Sequence, residues 1–203
     1  MDERPPNRQL SADLAQRLRQ ALTATGEQLY GCLQDPAAEV LGAMLKNPSL
    51  HEDHLRIVLK RRDLPEDLLK SIYQLQHTGA SHRLQLLLAK NPATPAPVVQ
   101  TLLPRLHLFE LVDLCQLPGV TPDQRLAAER NILLRLEGEP LGNRIALARR
   151  GTATIVGELL KTGEPRLMAA CLDSPRLKEA AIVQFLRGPK ATAETISLIA
   201  RHP

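Results

Sequence analysis

Six histidines stand at 51, 54, 77, 82, 107 and 202. The tightest group is His51-Glu52-Asp53-His54. Histidines three apart share a helix face and can bind a metal together with a carboxylate. The surrounding residues favour another role. Ser49-Leu50-His51-Glu52 reads as a capping box, and acids in a first turn complement the helix dipole. The expectation is therefore a solvated helix start and no metal site. His77 and His82 flank Thr78-Gly79, read as a loop between helices. The carboxylate pairs Glu66/Asp67 and Glu137/Glu139 lie beside helix ends or turns and read as surface charge. The chain has no GxSxG, P-loop, HExxH or GxGxxG. Cys32, Cys115 and Cys171 are far apart, with no CxxC pair, so zinc and iron–sulfur spacings are missing. They read as small buried apolar residues in a reducing compartment. No catalytic residue, cofactor or metal is expected.

The basic residues are more informative. Lys60-Arg61-Arg62 closes one apolar segment and Arg149-Arg150 another, with Arg144 upstream. Lys161, Arg166, Arg176, Lys178, Arg187 and Lys190 follow near successive segment ends. Two readings apply. Cations at helix C-termini satisfy the dipole and keep the surface soluble. Alternatively, equivalent positions in stacked repeats align into a ridge that meets an acidic surface.

Lys plus Arg is 26 and Asp plus Glu is 22, a formal charge of +4. That mild excess permits an acidic partner without demanding one. Aromatics are 2% of 203 residues, which disfavours both a strand-rich fold and single-strand nucleic-acid grips. Phe109 and Phe185 sit among Leu and Val and read as core. No apolar run reaches the roughly 18 residues of a membrane span. The polar start, Met1 to Gln9, has no signal-peptide core, so a cytoplasmic location is expected.

The elements follow from punctuation. Sixteen prolines are spread along the chain. A phrase recurs in which a Leu/Ala run gives way to a polar pair, then Pro or Gly, then a cap. It is read at Leu45-Lys46-Asn47-Pro48, Leu88-Ala89-Lys90-Asn91-Pro92, Leu172-Asp173-Ser174-Pro175 and Ile199-Ala200-Arg201-His202-Pro203. The steps are about 14 residues or near twice that, one short helix and turn or a helical hairpin. Thr121-Pro122-Asp123-Gln124 and Asp63-Leu64-Pro65-Glu66 repeat the capping form. Thr94-Pro95, Asp35-Pro36 and Glu164-Pro165 place Pro in a first turn. Apolar spacing is helical in Leu55/Val58/Leu59, Leu68/Leu69/Ile72/Tyr73, Val98/Val99/Leu102/Leu103 and Ile182/Val183/Leu186. About thirteen helices are expected, the longest near 122–136. Ser11–Thr25 reads as a terminal cap, with Leu14, Leu18 and Leu22 as its narrow stripe and Arg17, Arg19 and Gln20 kept wet.

The phrases at 88–95 and 200–203 resemble the bacterial leucine-rich repeat variant and its HEAT-like relatives. The resemblance covers about residues 36–203 and implies an all-α, right-handed α-solenoid (HEAT/ARM/LRV-like). Some such proteins carry an iron–sulfur cluster on N-terminal cysteines, a group missing here. The expected organisation is a poorly ordered arm at 1–10 and one helical-repeat domain at 11–203, with a cap at about 11–34 and repeats at about 35–203. The expected function is a non-enzymatic protein–protein scaffold or adaptor that holds an extended peptide or a helix, acidic in character. The alternative is nucleic-acid binding along the basic ridge. A homodimer through residues 192–203 is a further expectation, because that end shows no polar cap.

Overall fold

The structure is a computed structural model and describes residues 12–202. The expected N-terminal arm at 1–10 lies outside the described residues. Among them every regular element is helical, and no strand is present. They divide into two compact units between Leu102 and Leu103.

The N-terminal unit holds α1 (Ala12–Thr23), α2 (Glu27–Cys32), α3 (Ala38–Met44), α4 (Glu52–Val58), α5 (Glu66–Gln74), α6 (Gln76–Ala80), α7 (His82–Lys90) and α8 (Ala96–Leu102). Alternate helices pack in series, α1 on α3, α3 on α5 and α5 on α7. The C-terminal unit opens with a 3-10 turn at Leu103–Arg105. It continues with α9 (Leu108–Gln116), α10 (Pro122–Arg135), a 3-10 turn at Leu136–Gly138 and α11 (Leu141–Arg150). It ends with α12 (Ala153–Leu160), α13 (Pro165–Leu172), α14 (Glu179–Leu186) and α15 (Ala193–Arg201). Here α10, α12 and α14 stack in one layer, and α11, α13 and α15 in another.

The described residues thus carry fifteen α-helices rather than about thirteen. The surplus comes from elements such as α2 and α6, of six and five residues, too short to show a helical period. Helix α6 occupies the stretch expected to be a loop around Gly79. The longest helix is α10, close to its expected bounds.

Packing follows the apolar spacing. Leu55, Val58, Leu59, Leu68, Leu69, Ile72, Val98, Val99, Leu102 and Leu103 are buried. Each fully buried Leu, Ile or Val contributes about 1.5–3 kcal/mol. The spacing misleads in α14. Val183 and Leu186 are exposed, and Phe185 is the side chain buried there. In α1 Leu14 and Leu18 are half-buried and Ala21 is buried, while Leu22, the last residue of the expected stripe, is exposed. Arg17 is not left wet. It donates to both carboxylate oxygens of Asp35 at 2.9 Å.

Caps are partly as expected. The Thr121 hydroxyl accepts from Gln124 N–H, and the Gln124 side chain accepts from Thr121 N–H. Pro165 occupies the first turn of α13 behind Glu164. Pro36 and Pro95 instead precede α3 and α8. The caps expected at Ser49 and Asp63 move two residues on, to His51 and Pro65. The side chains of Asn47 and Arg61 account for this. The Asn47 side chain accepts from Ser49 N–H, and Arg61 grips Asp63.

A long-range bond recurs at the punctuation points. Asn47 donates to the carbonyls of Ala21 and Ala24 at 2.8 and 2.9 Å. Arg61 donates to Leu33 and Asp35, and Asn91 to Leu59 and Arg61. Arg135 donates to Leu103, Pro104 and Leu106, and Arg176 to Arg150 and Gly151. Every acceptor is a main-chain carbonyl 23 to 32 residues earlier, at or just beyond a helix C-terminus or in a connecting turn. These side chains satisfy carbonyls that helix ends leave without partners. They act as staples between one hairpin and the previous one.

Candidate partner-binding groove

The basic residues separate by role. In the N-terminal unit Lys60 and Arg62 are exposed. Arg61 is a staple and also forms a two-pronged ion pair with Asp63. Hydrogen bonding from Arg61 holds the Asp63 carboxyl below its ordinary range.

In the C-terminal unit Arg150 and Arg176 are committed to structure. Arg150 pairs with Asp113 at 3.1 Å and lies over the Phe109 ring at 5.2 Å. Phe109 is thus half-buried, serving a cation–π contact rather than the core interior. Arg176 donates to the Arg150 and Gly151 carbonyls and to the Gln116 side chain. Gln116 in turn donates to the Arg150 carbonyl. Arg149, Arg166 and Arg187 are exposed and do not line the groove described next, although Arg187 adjoins it at Gly188.

Helices α12 and α14 run side by side because small residues face each other. A Cβ placed on Gly157 would stand 3.4 Å from that of Ala181. Three depressions follow this seam. One, of about 420 Å³, lies between Gln116, Ala153, Arg176 and Lys178. The second, of about 230 Å³, has Ala153, Gly157, Ala180 and Ala181 in its lining, between Lys178 and Lys161. The third, of about 400 Å³, lies at the C-terminal end of α14 between Lys161 and Lys190. Neighbouring depressions share residues, Ala153 and Lys178 at one junction and Lys161 and Gln184 at the other. They form one groove. A fourth depression, of about 240 Å³, holds Arg144 and adjoins the groove across Glu158.

Each lysine is positioned differently. Lys161 caps the C-terminus of α12, a placement the helix dipole favours, and pairs with Glu158 at 2.5 Å. Lys190 sits in the turn before α15, where its carbonyl accepts from the Thr195 hydroxyl. Its stem lies close to Gly163, whose φ of +68° disfavours a side chain and where an added Cβ would stand 3.0 Å from the Lys190 Cβ. Lys178 stands at the N-cap of α14, where the dipole opposes a cation. Helix capping therefore accounts for Lys161 and not for Lys178. Among the described residues neither Lys178 nor Lys190 has a carboxylate partner within ion-pair distance.

The groove's charged lining is Arg176, Lys178, Lys161 and Lys190 with one carboxylate, Glu158. Its lining contains no histidine or cysteine. Of the two histidines expected at a solvated helix start, His51 is the exposed N-cap residue of α4, whereas His54 departs from that reading. His54 is buried against Tyr30, with ring centroids 4.7 Å apart, and its Nδ1 accepts from His51 N–H. Its work is to cap α4. The three cysteines are buried and free. Burial pushes the Cys115 and Cys171 thiols up to about 12. Sequence spacing placed the groove lysines near helix ends. It held no sign of the small-residue seam, because Gly157 and Ala181 come together only once α12 and α14 are docked. No helix among the described residues is long and apolar enough to cross a membrane. Comparison with protein-family models, with curated proteins and with solved structures finds no match to this chain.

Proposed function

We propose that the protein is a non-enzymatic interaction module that holds an acidic, extended segment of another protein along the α12/α14 groove. The observation that carries this reading is the run of three merged depressions with Lys161, Lys178 and Lys190 on its rim. The small-residue floor lets a partner's backbone approach closely, and Lys178 and Lys190 supply positive charge beside the Lys161–Glu158 pair. The two stacked layers of the C-terminal unit support an α-solenoid reading of the fold, in which successive hairpins build an elongated surface.

Nucleic acid is the less favoured ligand. Arg61, Arg135 and Arg176, the residue type best suited to phosphate, are occupied with main-chain carbonyls. The test is fluorescence anisotropy with a labelled glutamate-rich peptide and a duplex DNA competitor. The triple variant Lys161→Glu, Lys178→Glu, Lys190→Glu is expected to lose about tenfold or more in peptide affinity. Unchanged peptide binding in that variant, or displacement of the peptide by much tighter DNA binding, would overturn the proposal.

A further inference from the structure

Resting on that reading, we infer that the depression at the C-terminal end of α14 is an anchor pocket for one large apolar side chain of the partner, with carboxylates flanking it. The three depressions differ in chemistry. The middle one is small and contains Gly157, Ala180 and Ala181, which suits passage of a backbone. The one near Arg176 sets Ala153, Pro175 and Leu177 beside Gln116, Thr152, Arg176 and Lys178. The third is lined by Phe185, Gly188 and Pro189, with Gln184 and the two lysines Lys161 and Lys190. It has no carboxylate in its lining. Its volume of about 400 Å³ exceeds the roughly 150 Å³ that holds a benzene ring.

The lysines fit both halves of such a ligand. A lysine stem covers apolar surface while its ammonium stays in water. Lys161 and Lys190 border the depression, Lys161 with its ammonium shared with Glu158 and Lys190 without a carboxylate partner among the described residues. The base of the Lys190 side chain lies beside Gly163 on that border. The recognised element is therefore an apolar residue between acidic ones, rather than acidity alone.

The test uses two peptides, Glu-Glu-Leu-Glu-Glu and Glu-Glu-Ser-Glu-Glu, each labelled and extended equally with glutamates. The leucine peptide is expected to bind about tenfold or more tightly than the serine peptide. A third peptide carries photoreactive benzoylphenylalanine at the central position. Its adduct is expected at Lys161 or within residues 184–190, a readout that needs no core substitution at Phe185. Equal affinity of the two peptides, or an adduct mapped elsewhere, overturns the anchor. If both peptides bind equally and both are lost in the triple lysine variant, the acidic-segment reading stands and the anchor alone falls. If neither peptide binds, both fall.

Discussion

Asn91 offers a direct measure of what one staple is worth. Its amide donates to the Leu59 and Arg61 carbonyls at 3.1 and 2.7 Å, and its oxygen accepts from Ala93 N–H at 3.0 Å. The residue is 3% exposed. Asn91→Ala leaves three main-chain groups without that partner. A net hydrogen bond is worth about 1 kcal/mol, and a buried group left unmet costs about 1–3 kcal/mol. Water can reach the part-buried Arg61 carbonyl, so the expected loss is about 3 kcal/mol rather than the upper sum. With a urea slope of about 1–3 kcal/mol/M, the midpoint should fall by about 1–3 M. Asn91→Asp sharpens the test at nearly constant size. It keeps the acceptor for Ala93 but turns a carboxylate oxygen toward two carbonyls, so at neutral pH it should cost more than alanine. Burial raises the folded-state pKa of such a carboxyl. The deficit should therefore shrink as the pH falls and the protonated acid donates to one carbonyl. Urea denaturation followed by far-ultraviolet circular dichroism reads both variants. The staple argument is refuted if Asn91→Ala stays within about 0.5 kcal/mol of the parent, or if aspartate is no worse than alanine at neutral pH.

Two further outcomes follow from titratable groups. His54 has its pKa lowered from 6.5 by burial and by His51, with Asp53 pulling the other way. The unfolded chain thus takes up this proton first. Stability from this site should be complete above 6.5 and lost as the pH falls from there through the lowered folded value, and His54→Asn should flatten that slope in thermal melts. Cys115 and Cys171, with thiols near 12, should alkylate with iodoacetamide more than about a hundredfold slower in the native protein than in urea. Rapid native labelling at either would contradict their burial.

The sequence was legible where chemistry is local. Thr121 and Gln124 lie three apart and form the capping box their types suggest. Leu55, Val58 and Leu59 bury the face their spacing describes. Punctuation by Asn-Pro marked where hairpins join, yet its physical role was hidden. The partners of Asn47, Asn91 and Arg176 are carbonyls, which every residue carries, so no residue type advertises them. The same blindness moved the α4 cap from Ser49 to His51, since Asn47 had already engaged the Ser49 amide. Val183 and Leu186 keep a helical period on a face that the neighbouring helices leave exposed.

The staples have a consequence for how such a chain can grow. Each donor is a single side chain, and each acceptor is main chain, so the acceptor site places no demand on which residue occupies it. A duplicated hairpin would arrive with its own donor and would offer ready carbonyls to the copy behind it. Joints of this kind survive substitution on the receiving side. Lengthening by tandem copying would have to keep both the spacing of 23 to 32 residues and the apolar packing between neighbouring helices.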